Sequence, residues 1–452
     1  MEQIKKALNE SPAMRWGILL LVGFVLSVNY YFYDAFSTLK DDMRTVFGFT
    51  GTDYGLFSAF YSVPNTFLMM AVIGGIILDK IGIRRTGFLF VFFMTIGALL
   101  TGYGASDYFN NGGFGYEFMG SFLPRFSPEL KVMLLGRFFF GLGAETTIVV
   151  VSKILVKWFK GKDLALAFGL KVGFGRLGSF AALRLSPLIS NEGTNLSSAI
   201  WLGAILVSIG LLAFLVYMLF DAKLDSQIQE NTSEKSENKF SFKDITGLIS
   251  NRAYLYIALL CVTFYSAVFP FIQYAPDFFS DKFGLTSVES GNLTSYLPVG
   301  TLIFTPVFGA LIDRKGKSAS AMIFGAITLL VTHLLFALTN TPPIIPLILL
   351  GISFALVPAA MWPTMVKLVD ENKIGTAYGL MYSIQNLGLF IFPLLAGTIL
   401  DATNPGNPAV SDYTATILMF AAVSLIGLIF ALLLKYEDKK KHFGVELPLN
   451  KK

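Results

Sequence analysis

Apolar and polar positions along this chain come in long blocks. About twelve apolar runs of roughly 18 to 25 residues, each long enough to cross a ~30 Å hydrocarbon core as a helix, are parted by short polar breaks. They fall near 16–36, 55–78, 86–104, 132–157, 164–189, 199–220, 252–276, 291–312, 319–339, 344–366, 374–400 and 413–435. The pattern predicts an all-α membrane protein of twelve transmembrane helices in two six-helix bundles. Residues 1–220 and 252–435 form the N- and C-terminal bundles, 221–251 a cytosolic linker and 436–452 a cytosolic tail. The linker is the one long polar stretch, and Phe240, Phe242, Ile245, Leu248 and Ile249 recur in it near helical spacing, predicting a helix on the membrane surface.

The halves repeat each other. Gly75, Asp79, Gly82 and Arg84 lie in a Gly-x3-Asp-Lys-x-Gly-x-Arg element that returns 234 positions later with Gly309, Asp313, Arg314 and Gly316. Both copies follow an apolar run, so both read as cytosolic turns that let helices approach closely and pair charges, a conformational latch rather than a ligand site. A second offset, of 210, carries Val156-Lys157 onto Val366-Lys367, Gly169-Leu170 onto Gly379-Leu380 and Leu177-Gly178 onto Leu387-Gly388. It sets Arg176 opposite Asn386 and Glu145 opposite Ala355, so the scaffold repeats while the charge does not.

Composition agrees: 54% of the 452 residues are hydrophobic and 14% charged, with a mean hydropathy of +0.63, which excludes a soluble globule. The net charge of +5 does not point to nucleic acid, because the cations alternate between loops, the positive-inside pattern. Lys80, Arg84 and Arg85, Lys157, Lys160 and Lys162, Arg314 to Lys317, Lys367 and Lys373, and Lys439 to Lys441 then face the cytosol, as do both termini. The first run is too long for a signal peptide and carries Asp34, so it is read as a retained helix. Cys261 is the one cysteine, and no internal disulfide is available.

Charges inside a bilayer are costly and by default functional. Asp34, Arg137, Glu145, Lys153, Lys171, Arg176 and Arg184 all fall in the first half, whereas the second offers His333, read as a satisfied histidine on a supporting helix. A hairpin turn at Phe159 to Asp163 puts Glu145 and Arg176 at one depth, each roughly 20 Å from the turn at ~1.5 Å per residue. They are either a buried structural ion pair or the two poles of a zwitterion site, Arg176 for a carboxylate and Glu145 for an ammonium; the second reading is preferred. Asp34, Arg137 and Arg184, further outward, form an outer charge cluster with a structural or gating role. Lys153 reads equally as snorkelling or cavity-facing, and Lys171 as deeper in polar surroundings. Pro64, Pro270, Pro298, Pro358, Pro363 and Pro393 mark bends. Tyr30, Tyr31, Tyr33, Tyr61, Tyr265, Trp362, Tyr382, Gln385 and Asn386 are candidates for the polar and aromatic lining. The segment 104–131, rich in Gly and Pro, receives no chemistry.

Longer segments carry a family resemblance. Tyr61-Ser-Val-Pro-Asn65, Gly143-Ala-Glu145, Trp158-Phe-Lys-Gly-Lys162, Arg176-Leu-Gly-Ser179, Ala267-Val-Phe-Pro-Phe-Ile272, Lys282-Phe-Gly284 and Gly375 to Gly388 resemble the lysosomal dipeptide transporters of the major facilitator superfamily, from about residue 30 to about 400. The resemblance implies a dipeptide uniporter preferring cationic residues, with Glu145 and Arg176 on the peptide termini and Asn65 and Trp362 also matching family segments. Lys153 and Lys171 stand where uncharged residues are expected in animal members, which leaves side-chain selectivity open. Met1 to Pro12 shows no acidic dileucine sorting signal. A bacterial-type homologue in an inner or plasma membrane is therefore expected, with a lysosomal membrane if the chain follows the animal family.

The expected function is thus alternating-access uniport of dipeptides, with substrate contacts at Glu145, Arg176, Trp362, Asn386, Gln385, Asn65, Tyr61 and Lys171. The alternatives are a proton-coupled transporter of another small anion or zwitterion, working through Glu145 or Asp34, and a non-transporting membrane receptor. An enzyme is disfavoured: there is no nucleophile–base set, metal-ligand cluster or phosphate loop. No cofactor or metal is expected; the partners are a small substrate and the lipid bilayer, without nucleic acid, and a monomer is the default.

Overall fold

The computed structural model describes residues 7–227, 247–370, 373–406 and 408–448. Among these, eleven helices are long and apolar enough to cross a membrane. The helices are α1 Pro12–Asp34, α2 Lys40–Phe47, α3 Gly51–Phe60, α4 Val63–Phe67, α5 Met70–Gly104, α6 Asp107–Asn110, α7 Tyr116–Gly120, α8 Pro128–Phe159, α9 Leu164–Ser190, α10 Leu196–Gln227, α11 Arg252–Phe283, α12 Ser287–Thr294, α13 Tyr296–Lys315, α14 Ser318–Leu338, α15 Ile344–Leu368, α16 Ile374–Thr403 and α17 Thr414–Lys441.

The run at 55–78, expected as one span, folds instead as α3, α4 and the start of α5. Pro64 sits in the first turn of α4, where its missing N–H costs nothing, and Met69 adopts φ 49°, outside the helical region. The next interruption is Gly82, at φ 81° and ψ 170° inside α5, a conformation closed to residues with a Cβ. Polar starts are marked by capping: Thr50 with Asp53 and Thr286 with Glu289 form reciprocal capping boxes, and Ser127 accepts from Leu130 N just before Pro128. The expected linker begins late, because α10 continues through Gln227. Of the surface helix expected over Phe240, Phe242, Ile245, Leu248 and Ile249, residues 247–250 are helical with Leu248 buried and Ile249 exposed, while Phe240, Phe242 and Ile245 lie outside the described residues.

Contacts divide the chain into two units. The first comprises residues up to Ala35, Met70–Ala182 and Ser197–Glu237; the second comprises Phe36–Met69, Leu183–Leu196 and Asn238 onward. In the first unit α5 packs along α8 and α1 touches α8. Glycines allow the α5–α8 approach: a Cβ on Gly143 would lie 2.2 Å from the Phe90 carbonyl oxygen. In the second unit α14 packs on α15 and α17, α11 on α16 and α17, and α3 on α16. There the carboxylate of Asp401 caps α3, accepting from Gly51 N at 2.7 Å, Thr52 N at 2.7 Å and Thr52 Oγ1 at 2.6 Å.

Candidate functional site

The first unit carries the charge. Helices α1, α8 and α9 are tied at mid-length by Ser27 Oγ donating to Phe174 O at 2.8 Å and Asn29 Nδ2 donating to Ala144 O at 3.4 Å. A Cβ on Gly178 would meet Ser27 O at 2.0 Å, so α9 lies directly against α1. The two glycines at close contact, Gly143 and Gly178, each stand two residues from a charge, Glu145 and Arg176.

Glu145 and Arg176 are both half-buried. The phenol of Tyr30 lies within electrostatic reach of Arg176, Glu145 and Asp34 together. Asp34 in turn faces Ser179, Arg176 and Arg137. The guanidinium of Arg137, 1% exposed, lies over the rings of Tyr33 and Phe140 at 5.5 and 6.0 Å. The sequence reading treated Glu145 with Arg176 as one group and Asp34 with Arg137 and Arg184 as another. In the structure Asp34 lies within electrostatic reach of Arg176 as well as Arg137, with Ser179 beside it, and Tyr30, a lining candidate in the sequence, lies near Arg176, Glu145 and Asp34 alike. Arg184 belongs to the second unit, where its Nε donates to Ser295 Oγ at 3.1 Å.

Lys171 donates from Nζ to Ser152 Oγ at 2.6 Å and lies 5.8 Å from the Phe168 ring, a hydroxyl and aromatic setting consistent with the polar surroundings expected for it. Lys153 lines no such setting: it pairs with Asp79 of the first latch element. Arg84 of that element reaches Asp221 at 3.7 Å and Asp225 at 3.0 Å, and Lys157 reaches the same two carboxylates at 2.9 and 2.6 Å. Asp221 is 1% exposed and also accepts from Trp158 Nε1 at 3.2 Å and Tyr217 OH at 2.9 Å. These carboxylates on α10 are the partners of the first copy, and the sequence reading had placed Asp221 at the start of the linker. Asp313 and Arg314 of the second copy are exposed and make no ion pair among the described residues.

The second unit contributes aromatic and amide groups. Trp362 of α15 stacks on Tyr382 and Tyr378 of α16, with centroids at 4.7 and 5.8 Å, and donates from Nε1 to Tyr265 OH at 3.0 Å. Gln385 Oε1 lies 3.7 Å from the Cys261 thiol, and Asn386 Nδ2 donates to Tyr382 O at 3.0 Å. Asn65 is fully buried with both amide atoms unpartnered, and Tyr61 is 6% exposed. His333 is buried, its Nδ1 3.1 Å from Ser424 Oγ and its ring against Phe271, but its buried Nε2 has no hydrogen-bond partner among the described residues, so the ring is only half satisfied. No group of three or more His, Cys, Asp or Glu side chains able to hold a metal occurs among the described residues.

Long apolar helices, duplicated turn elements and charges concentrated on one set of helices define a polytopic carrier. The Major Facilitator Superfamily profile matches residues 19–393 and 274–448, and the chain belongs to that superfamily. It is 33% identical over 400 residues to the lysosomal dipeptide transporter MFSD1 of Homo sapiens, covering 86% of this chain and 81% of the relative. It is 29% identical over 440 residues to that of Danio rerio, covering 95% and 88%. In fold it is similar to the crystal structure of the nucleoside transporter NupG, with a TM-score of 0.68 at 15% identity over 92% of this chain and 99% of that one. It is also similar to a bacterial homologue of the human lysosomal transporter Spinster in an inward-facing, unoccupied conformation, with a TM-score of 0.70 at 13% identity over 95% and 98%. The chain is therefore a multi-pass membrane transporter of this superfamily and not an enzyme.

Proposed function

We propose that the chain carries dipeptides across the membrane by alternating-access uniport. The observation that supports this is the gathering of opposite charges around Tyr30, with a guanidinium at Arg176 on α9 and a carboxylate at Glu145 on α8, helices that close glycine contacts set against α1 and α5. A dipeptide is a zwitterion; Arg176 takes its carboxylate by paired N–H donors and Glu145 its ammonium. The similarity to lysosomal dipeptide transporters adds the substrate class. Trp362, Gln385, Asn386, Asn65 and Tyr61 are assigned as further contacts, and both termini as cytosolic.

Counterflow of a labelled Lys-Ala-type dipeptide in proteoliposomes tests the reading. Exchange that is independent of an imposed proton gradient and lost in a folded Arg176→Ala variant is expected. No dipeptide exchange by the folded protein, or unchanged affinity in Arg176→Ala, would overturn it. The second reading, proton-coupled transport, is favoured by the carboxyl of Asp34 beside Ser179, Arg176 and Arg137. It requires gradient-driven uptake that Asp34→Asn uncouples.

A further inference from the structure

The segment between α5 and α8 has no part in the charge cluster or in the latch, yet it is a built structure. Phe109 is fully buried, with the rings of Tyr103 and Tyr116 at 5.2 and 5.3 Å. Tyr103 OH donates to Phe114 O at 2.8 Å, and Ser106 and Ser127 cap α6 and α8. Lys131 Nζ donates to the carbonyl oxygens of Met119 at 2.5 Å and of Phe122, holding α7 and its exit against α8. The backbone is thereby fixed around a small aromatic core.

Beside the exposed Asp107, Asn111, Glu117, Ser121 and Arg125, this fixed segment turns large apolar side chains outward. Phe114 is 86% exposed, Phe118 67%, Tyr108 66% and Leu123 59%. The Phe118 and Phe122 rings lie 5.6 Å apart and so share a face, and Phe114 stands in the turn that leads into α7. An exposed aromatic patch of this kind on a rigid support needs a covering phase. Its place in the chain says which. The segment hangs between Gly104 and Pro128, the ends of two membrane spans. Leu99 and Leu135, within two turns of those ends, are themselves outward-facing on the spans. The segment therefore sits at the membrane ends of two spans, the level where aromatic rings settle between acyl chains and headgroups.

We propose that residues 105–127 form an interfacial element whose partner is the lipid surface itself, with Phe114, Phe118 and Leu123 seated at the headgroup–acyl boundary and Glu117 and Ser121 facing water. Seating an amphipathic segment ~5–10 Å deep removes its apolar face from water without spanning the bilayer.

Cys261 is buried, so cysteines introduced on the surface can be labelled selectively. Nitroxide-labelled Phe114→Cys, Phe118→Cys, Leu123→Cys, Glu117→Cys and Ser121→Cys proteins, each in phosphatidylcholine–phosphatidylglycerol nanodiscs, would be compared for collision with oxygen and with a water-soluble nickel chelate. The oxygen-to-nickel ratio is expected to be several-fold higher at 114, 118 and 123 than at 117 and 121. Equal, nickel-dominated collision at all five sites would mean that the segment stands in water. Low collision with both reagents at 114, 118 and 123 would mean that protein, a second copy or another chain, covers the patch. Either result overturns the proposal, and three separate apolar sites keep it decidable if one variant folds poorly.

Discussion

Glu145 and Arg176 are held where they are by the glycines beside them. Gly143 faces backbone atoms of α5 on two sides, and a Cβ there would lie 2.2 Å from Phe90 O and 2.4 Å from Met94 N, neither of which can swing away as a side chain can. Gly143→Ala is thus expected to push α8 off α5, to cost about 1–3 kcal/mol as overpacking does and to reduce dipeptide exchange by displacing Glu145. Gly17→Ala, with nothing near its added methyl and inside α1, is the control and should raise stability by up to about 1 kcal/mol rather than lower it. Thermal unfolding in detergent alongside counterflow reads both. A different residue effect concerns Asp42 on α2, outside the spans. Burial pushes its carboxyl up to about 6; the Ser190 hydroxyl opposes this, and Asp41, Glu192 and Asp277 add to the rise. The folded state thus holds the proton more tightly than an unfolded carboxyl near ~3.9, so this contribution is fully present below about 4 and lost as pH rises through about 6. Asp42→Asn should raise the melting temperature at pH 7.5 and flatten its pH dependence between about 4 and 6; an unchanged slope would show that another group carries it.

At the scale of elements, the two latch copies diverge although their sequences repeat. The first is closed by Asp221 and Asp225 of α10 together with Lys153 and Lys157 of α8. The second is closed by the chain's own tail. Gly316, at φ 70°, leaves no room for a side chain because Glu446 O would lie 2.5 Å from its Cβ; Lys317 N donates to that oxygen at 2.8 Å. The Glu446 carboxylate caps α14 through Ser320 N at 2.7 Å and Ser320 Oγ at 2.9 Å, and Lys367 Nζ donates to Gly444 O and Leu447 O at 2.9 and 2.6 Å. Glu446→Ala should cost about 1 kcal/mol, the size of a lost helix cap, and expose the Lys439 to Lys441 bonds to trypsin; equal digestion of variant and parent would deny the tail this role. The spans themselves were legible because apolar run length alone marks them. The break at 61–69 was half legible, flagged by Pro64 but hidden in an unbroken apolar run. The roles of Asp221 and Glu446 were not legible, since a carboxylate at a helix end or in a polar tail looks solvated until the fold supplies its partners. The depth argument set Glu145 and Arg176 at one height but could not single out Tyr30 as the group near both, because a depth estimate fixes height and not azimuth.

Over the whole chain, the repeat divides the sequence near the linker, but the contacts group Phe36–Met69 and Leu183–Leu196 with the second half. Specific polar contacts account for this grouping. Lys40, 5% exposed, pairs with Asp277 of α11 and donates to Tyr413 OH at 3.0 Å, among the rings of Tyr54, Tyr274 and Tyr413 at 5.6 to 5.9 Å. Asp401 of α16 caps α3 by three hydrogen bonds, and a Cβ on Gly55 would meet Pro393 O at 2.5 Å. A buried ion pair is a poor source of net stability because desolvation offsets its attraction, so folding stability alone gives little reason for a lysine and an aspartate there rather than two apolar groups. Such a pair does suit a contact that must release, since each partner regains hydration when separated. If transport proceeds by alternating access, these contacts belong to one of its states and must open in the other. Bridging Thr52→Cys to Asp401→Cys with a short reducible thiosulfonate should then arrest dipeptide counterflow, and reduction should restore it, while either single cysteine treated alike keeps its flux. Undiminished exchange by a fully bridged protein would show that α3 and α16 stay together throughout the cycle, and the moving boundary would have to be sought elsewhere in the chain.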